Sequence, residues 1–249
     1  MNKDRVVGQP VRDGVDSVDY FYCEFCGFLF SKHLDECSNS VLDSLIYNED
    51  YWTRIDLEDR SAIPLTFIQR FMVGRQRRIL DYGCGRGQGV SMLRSEGYDA
   101  FGYDIGNRFV SQYCSNDWGE LPDHYDFIFS FEVVEHLTRP LVLFEDLGRL
   151  LVRNGIFFFT TYLYDESLGR EFWYIAPRNG HVSIYSRRTL QYLAASYGFA
   201  YVPLFRPHHH LFLRCRNQSL RSVETVLRYG IGVFVQSLGS KLCKTGIAR

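Results

Sequence analysis

Between residues 79 and 89 the chain reads Ile79-Leu80-Asp81-Tyr82-Gly83-Cys84-Gly85-Arg86-Gly87-Gln88-Gly89, with a glycine at every second position from 83. Such a stretch lets the backbone turn sharply and approach a ligand, because glycine has no Cβ to clash and reaches positive φ freely. An apolar pair precedes the turn, so Asp81 stands at the tip of a strand, and a second short strand ends in Asp104. A carboxylate at that second tip sits where a ribose diol needs paired acceptors. The glycines do not follow the G-x-G-x-x-G spacing that cradles a pyrophosphate, so the turn suits a cofactor without one. Two bland roles compete: Asp81 can simply cap the turn, and Asp104 can be an ordinary surface carboxylate. Farther on, Glu135-His136 closes an apolar run and His181 stands alone before a helix. Imidazoles titrate near neutral pH and suit acid–base work. Glu135 and His136 can equally satisfy backbone groups at a strand end, and a lone histidine is more often packed or solvated.

The elements that must position these groups alternate. Residues 79–80, 100–103, 125–131 and 156–160 read as strands, and the 125–131 run is apolar on both faces, as in a parallel sheet covered by helices. Helical patterns fall at 62–72, around 90–93, at 140–151 with Leu143, Leu147, Leu150 and Leu151 on one face, and from Ser186 as cap to Tyr197. Gly155 is expected to take the left-handed stop after the third of these, and Gly198 after the fourth. Segments 200–204 and 210–214 look like a closing antiparallel pair. Strands alternating with helices argue a doubly wound α/β domain.

With 249 residues, 46% of them hydrophobic, the chain can bury one large core, or one core and a small appendage. A net charge of -1 gives no general attraction to nucleic acid or anionic lipid. No run approaches the roughly 18 apolar residues of a membrane span, and the polar first twenty residues lack a secretory pattern. Seven scattered cysteines suit reduced thiols. The expectation is a soluble, cytoplasmic protein.

Asp81-x-Gly83-x-Gly85-x-Gly87 resembles the first motif of class I S-adenosylmethionine-dependent methyltransferases, and Asp104 matches their ribose-binding acid. Phe127-Ile128-Phe129-Ser130-Phe131-Glu132-Val133-Val134-Glu135-His136-Leu137 is similar to a strand-four signature of the group that includes many small-molecule and sugar methyltransferases. Leu150-Leu151-Val152-Arg153-Asn154-Gly155 resembles the family's glycine turn, and His181-Val182-Ser183-Ile184-Tyr185-Ser186 a recurring histidine segment. The resemblance implies a Rossmann-like, doubly wound seven-stranded sheet that binds S-adenosylmethionine and releases S-adenosylhomocysteine. It implies that Gly83, Gly85 and Gly87 face the methionine part, that Asp81 reaches its amino group directly or through water, and that Asp104 holds the ribose. Asp117 would accept from the adenine amino group with Trp118 bordering the ring. Ser130 and Phe131 would lie under the sulfonium, where an aromatic face suits a cation. Methyl transfer is an in-line displacement in which the cofactor carries the activation. A base helps where the acceptor is a hydroxyl; His181 is the first candidate and His136 the second. Phe172-Trp173-Tyr174 could wall an acceptor pocket, form a lid, or merely cover the core.

Four parts are expected: a flexible arm over 1–20, a Cys- and Tyr-rich segment over 21–60, the cofactor-binding domain over 61–215, and a basic amphipathic tail over 216–249. Cys23 and Cys26 form one C-x-x-C-G knuckle where zinc commonly takes two. The segment resembles a degenerate form of a two-knuckle ribbon found in bacterial methyltransferases that often act on sugars, with Tyr47, Tyr51 and Trp52 folding over the cofactor site. No metal is expected there. His208-His209-His210 alternate faces along a strand and do not suggest a shared ion. The tail's apolar stripe and basic residues can pack on the domain, lie on a membrane surface, or mediate self-association. The expected activity is methylation of a small molecule, with a sugar or lipid-linked glycan intermediate as first guess. RNA or protein methylation and a non-catalytic cofactor-binding partner are the alternatives.

Overall fold

The computed structural model describes residues 18–37, 77–106, 112–169, 171–204 and 206–214, with the strand at 5–7 and the helical positions Leu65 and Ile68. The segment at 47–52, most of the expected 62–72 helix and the 216–249 tail lie outside them. Three short strands come first: β1 (Arg5–Val7), β2 (Asp19–Tyr22) and β3 (Leu29–Phe30), followed by a one-turn helix α1 (Lys32–Asp35). The alternating part then supplies β4 (Arg78–Tyr82), α2 (Gln88–Ser95), β5 (Asp99–Tyr103), β6 (Cys114–Ser115), β7 (Tyr125–Phe131), α3 (Pro140–Leu150) and β8 (Leu151–Thr160). The chain continues through β9 (Ser183–Ile184), α4 (Arg187–Tyr197), β10 (Phe199–Pro203) and β11 (His209–Arg214).

Seven strands form one sheet in the order β10-β11-β8-β7-β4-β5-β6. Strands β6, β5, β4, β7 and β8 are parallel, and β11 is antiparallel to both its neighbours, which is the closing pair expected from the sequence. Strand β4 pairs with β5 on one side and β7 on the other, so the winding reverses there. A crevice at the carboxyl ends of strands opens at such a reversal. Helix α2 buries Val90 and Leu93 on one face of the sheet with Ile79, Phe127, Phe129 and Phe158. Helices α3 and α4 cover the opposite face, where Leu143, Leu147, Leu190 and Leu193 meet Leu80, Ile128 and Phe157. Burying each such side chain contributes about 1.5–3 kcal/mol, so the sheet is held from both sides.

Helix α4 begins and ends as its sequence requires. Ser186 and Thr189 form a reciprocal capping box, and Gly198 takes φ 83 at the end. The end of α3 departs from expectation. It stops at Leu150, β8 starts at once, and Asn154 rather than Gly155 takes the left-handed backbone, with φ 62. Gly155 is needed for space instead, because a Cβ there would lie 2.8 Å from the Val152 carbonyl oxygen.

A second sheet, β1-β2-β3-β9, joins the Cys-bearing segment to the strand that follows His181. Tyr20, Leu29, Leu34, Tyr174, Val182 and Ile184 share a core there. The knuckle rests on α4: the Ser186 and Thr189 hydroxyls both donate to the Cys26 carbonyl, at 2.7 and 2.8 Å.

Candidate functional site

Strand β4 delivers Asp81 to the crevice and then turns through Gly83 (φ 84), Gly85 (φ 50) and Gly87 (φ 72). All three are left-handed, a region costly for side chains with a Cβ. Space is short as well: a Cβ on Gly83 would sit 2.4 Å from Cγ2 of Val133, and one on Gly87 2.7 Å from Sγ of Cys114. The Gly83 and Cys84 amides both donate to the Tyr103 carbonyl, at 2.7 and 3.1 Å, which ties the turn to β5. Asp104 completes the tie. Its two oxygens accept the amides of Gly85 and Gly106, each at 2.8 Å. Each oxygen keeps a further lone pair for a ligand. Burial raises the Asp104 pKa, and the two amide bonds oppose that rise.

Asp81 is buried, and no described group donates a hydrogen bond to it. Burial drives its pKa well up, with Cys114 and Asp104 adding to the effect. Gly89 makes room for it, since a Cβ there would lie 3.0 Å from Oδ2 of Asp81. A buried carboxylate facing a side-chain-free turn fits the ammonium and backbone of an amino-acid moiety, which would offset the desolvation.

The remaining cofactor candidates have packing roles of their own. Asp117 accepts from the Gly119 amide at 2.8 Å and so caps the short turn Trp118–Glu120. Trp118 stacks on Tyr103, ring centres 3.7 Å apart. Ser130 is fully buried, and its hydroxyl donates to the Tyr82 carbonyl at 2.8 Å, stapling β7 to β4. Phe131 packs on Phe129 and Phe158, with centres at 5.3 and 5.5 Å.

The carboxyl end of β7 carries a different arrangement. Glu132 takes φ 53, and the chain then enters the 3-10 turn Val134–His136. Glu135 is completely buried, and neither of its oxygens has a hydrogen-bond partner. The nearby Tyr174 and Thr161 hydroxyls hold its pKa down a little, but the Tyr174 hydroxyl donates to Glu132 instead, at 3.3 Å. Burial, with the Glu132 carboxylate second, pushes the Glu135 pKa up to about 8.

Both histidines lie close to this carboxylate. Nε2 of His136 is 3.8 Å from Oε1 of Glu135, and the His136 and His181 ring centres are 4.9 Å apart. Nδ1 of His136 faces the Gly180 carbonyl at 3.1 Å, and Nδ1 of His181 faces the Tyr174 carbonyl at 2.8 Å. Carbonyls only accept, so the hydrogen-bond network assigns the ring proton to each Nδ1 and a lone pair to each Nε2. Burial pushes the His181 pKa down to about 4, which keeps the ring neutral. The Tyr20 hydroxyl donates to the His181 carbonyl at 2.5 Å, so the Cys-bearing segment fixes this histidine. Outside, Tyr162, Trp173 and His208 form an aromatic wall, with Trp173 largely exposed and Tyr174 buried beneath. The knuckle at Cys23 and Cys26 gathers no third ligand among the described residues.

The methyltransferase domain family matches residues 57–204, more than half of the 249. The chain belongs to that family. Its fold is the class I S-adenosylmethionine-dependent one, with the strand order and the single reversed strand given above. Among curated relatives, the ubiquinone biosynthesis O-methyltransferase of Aliivibrio fischeri (strain ES114) is 24% identical, over 34% of this chain and 44% of the relative. That of Yersinia pestis (strain Pestoides F) is 25% identical, over 34% and 43%. The match therefore spans less than half the length of these relatives. Two solved structures are similar. A chain of the complex between the Haloferax volcanii Trm112 methyltransferase activator and a methyltransferase has TM-score 0.49 and 17% identity, over 68% of this chain and 96% of that one. The magnesium protoporphyrin IX methyltransferase of Synechocystis PCC 6803, with bound S-adenosylhomocysteine, has TM-score 0.47 and 14% identity, over 65% and 84%.

Sequence reasoning singled out Asp81, Asp104, His136 and His181. It gave no role to Glu132 or Tyr20, named Tyr174 only within the aromatic run 172–174, and left Glu135 between a functional and a structural reading. The Glu-x-x-Glu-His spacing at 132–136 was the one available signal for the acids. Nothing local marks Tyr20, whose partner lies 161 residues away.

Proposed function

We propose that the protein transfers the methyl group of S-adenosylmethionine to a hydroxyl of a small-molecule acceptor, with a sugar or lipid-linked glycan intermediate as the first class to try. The observation that carries this reading is Asp81, a buried carboxylate without a described donor at the mouth of the glycine turn. In this reading it holds the cofactor's amino group, and Gly83, Gly85 and Gly87 present bare backbone to the methionine part. Asp104 takes the ribose hydroxyls on its free lone pairs. Asp117 and Trp118 border the adenine, while Ser130 and Phe131 support the strand beneath the sulfonium. The cofactor supplies the activated methyl. The protein aligns the acceptor and excludes water, with the wall of Tyr162, Trp173 and His208 on the acceptor side. His181, neutral with Nε2 unprotonated, is the group placed to hold or receive the hydroxyl proton, and His136 stands beside it. The names of the curated O-methyltransferase relatives agree with an oxygen acceptor. Among the described residues, no helix is long and apolar enough to cross a membrane.

The test is calorimetric titration with S-adenosylhomocysteine, followed by turnover assays across hydroxylated acceptors. The expected result is saturable binding, and His181→Ala slows turnover while leaving that affinity unchanged. Folded protein with no affinity for the nucleoside overturns the cofactor reading. Unimpaired turnover in His181→Ala overturns the role of the histidine.

A further inference from the structure

Glu135, His136 and His181 each offer one potential donor atom, and these atoms lie within 4.8 Å of one another. We infer that this cluster is a binding site for a divalent metal ion, formed by the Glu135 carboxylate and the Nε2 atoms of His136 and His181. Three features of the fold support the assignment independently. Glu135 is completely buried with both oxygens unpartnered, and burying an uncompensated carboxylate is among the costlier things a fold can do. Both imidazoles are anchored through Nδ1 to backbone carbonyls, at 3.1 and 2.8 Å, which is the outer contact that aims a histidine's other nitrogen at a metal. The neighbouring Glu132 places a second carboxylate against Glu135 and makes an unbalanced charge there costlier still. A divalent ion balances the two carboxylates.

The donor set selects the ion. Two imidazoles and a carboxylate suit zinc, cobalt or ferrous iron rather than magnesium or calcium, which prefer all-oxygen shells. Bonds near 2.1 Å place donors about 3–3.4 Å apart, so small side-chain rotations close the cluster on the ion. The site lies at the end of β7, two residues beyond Val133, the residue that packs against Gly83 of the cofactor turn. Its consequence for chemistry rests on the methyl-transfer reading. An acceptor hydroxyl bound to the ion releases its proton to water more readily. Its oxygen then forms the C–O bond as the C–S bond breaks, and that electron pair neutralises the sulfonium. With the ion bound, His181 serves as a ligand and the proton leaves to water; its role as proton acceptor belongs to the metal-free site.

The experiment uses the full chain, stripped with chelator and titrated with Co²⁺ while visible d–d absorption and thermal unfolding are followed. One equivalent of cobalt with a raised melting temperature is expected. Glu135→Gln and His181→Ala should each lower the affinity roughly ten-fold or more. Glu135→Gln should also raise the melting temperature of the metal-free protein, which shows that the variant folds. The double variant Cys23→Ser/Cys26→Ser should bind cobalt as the parent does. The assignment is overturned if the folded parent takes up no cobalt, if Glu135→Gln and His181→Ala bind it normally, or if the cysteine variant abolishes uptake. Calorimetry with S-adenosylhomocysteine on the same samples separates the two readings: binding of the nucleoside without cobalt sinks only the metal site.

Discussion

The two ends of the crevice are built by opposite means. At the β4–β5 end the site is mostly backbone: a turn of left-handed glycines whose amides are held by Tyr103 and Asp104, all within about 25 residues of sequence. At the β7 end it is made of side chains, and Glu135 meets His181 only because the second sheet brings residue 181 back against the first. The difference teaches where each end is vulnerable. The first tolerates almost no added atoms. The second depends on distant contacts that position a few polar groups.

The hardest test of the contrast is Gly83→Ala. Its Cβ would meet Val133 at 2.4 Å with φ at 84, so stability should fall by about 3 kcal/mol or more in denaturant titration. Gly148→Ala is the control, on helix α3 with nothing within 4 Å, and should instead gain about 0.5–1 kcal/mol. A mild effect at Gly83 would mean the turn is looser than the backbone indicates.

Next in size is Asp104→Ala, which strands the Gly85 and Gly106 amides. Affinity for S-adenosylhomocysteine should drop by roughly 1–3 kcal/mol. Unchanged calorimetric affinity would remove Asp104 from the ribose.

Asp81 sharpens the comparison through pH. Its pKa is raised in the fold, so the folded state binds the proton more tightly than the unfolded chain does. Its contribution is fully present below the ordinary carboxylate pKa and is lost as pH rises through the folded value. The slope reaches at most about 1.4 kcal/mol per pH unit. Asp81→Asn should flatten this part of the stability profile, raise the stability of ligand-free protein near neutrality, and weaken cofactor binding. An identical profile in the variant would show that Asp81 is solvated.

The smallest effect belongs to the far end. Tyr20→Phe removes the hydrogen bond to the His181 carbonyl and should cost about 1 kcal/mol of stability. It should slow turnover without touching nucleoside affinity. Equal loss of both would join the two ends that the structure keeps apart.

Much of this was legible in the chain itself. The run from Ile79 to Gly89 carries strand, turn and helix in eleven residues, because φ preference and apolar burial are local properties. Ser186 and Gly198 bracket α4 for the same reason. The left-handed position after α3 was misplaced by one residue, since asparagine also tolerates that region and Gly155 is reserved for a close approach to Val152. The roles of Ser130 and Trp118 in packing were invisible, because each depends on a neighbouring strand.

What the sequence alone determined is therefore the parallel α/β order and the bare turn at its switch point, both set by short-range sterics and by which residues avoid water. The tertiary structure alone decided that a fully buried, unpartnered Glu135 faces two histidines whose protons are held on the far nitrogens. Burial and convergence are properties of packed surfaces distant in the chain, and no spacing between residues 135 and 181 encodes them.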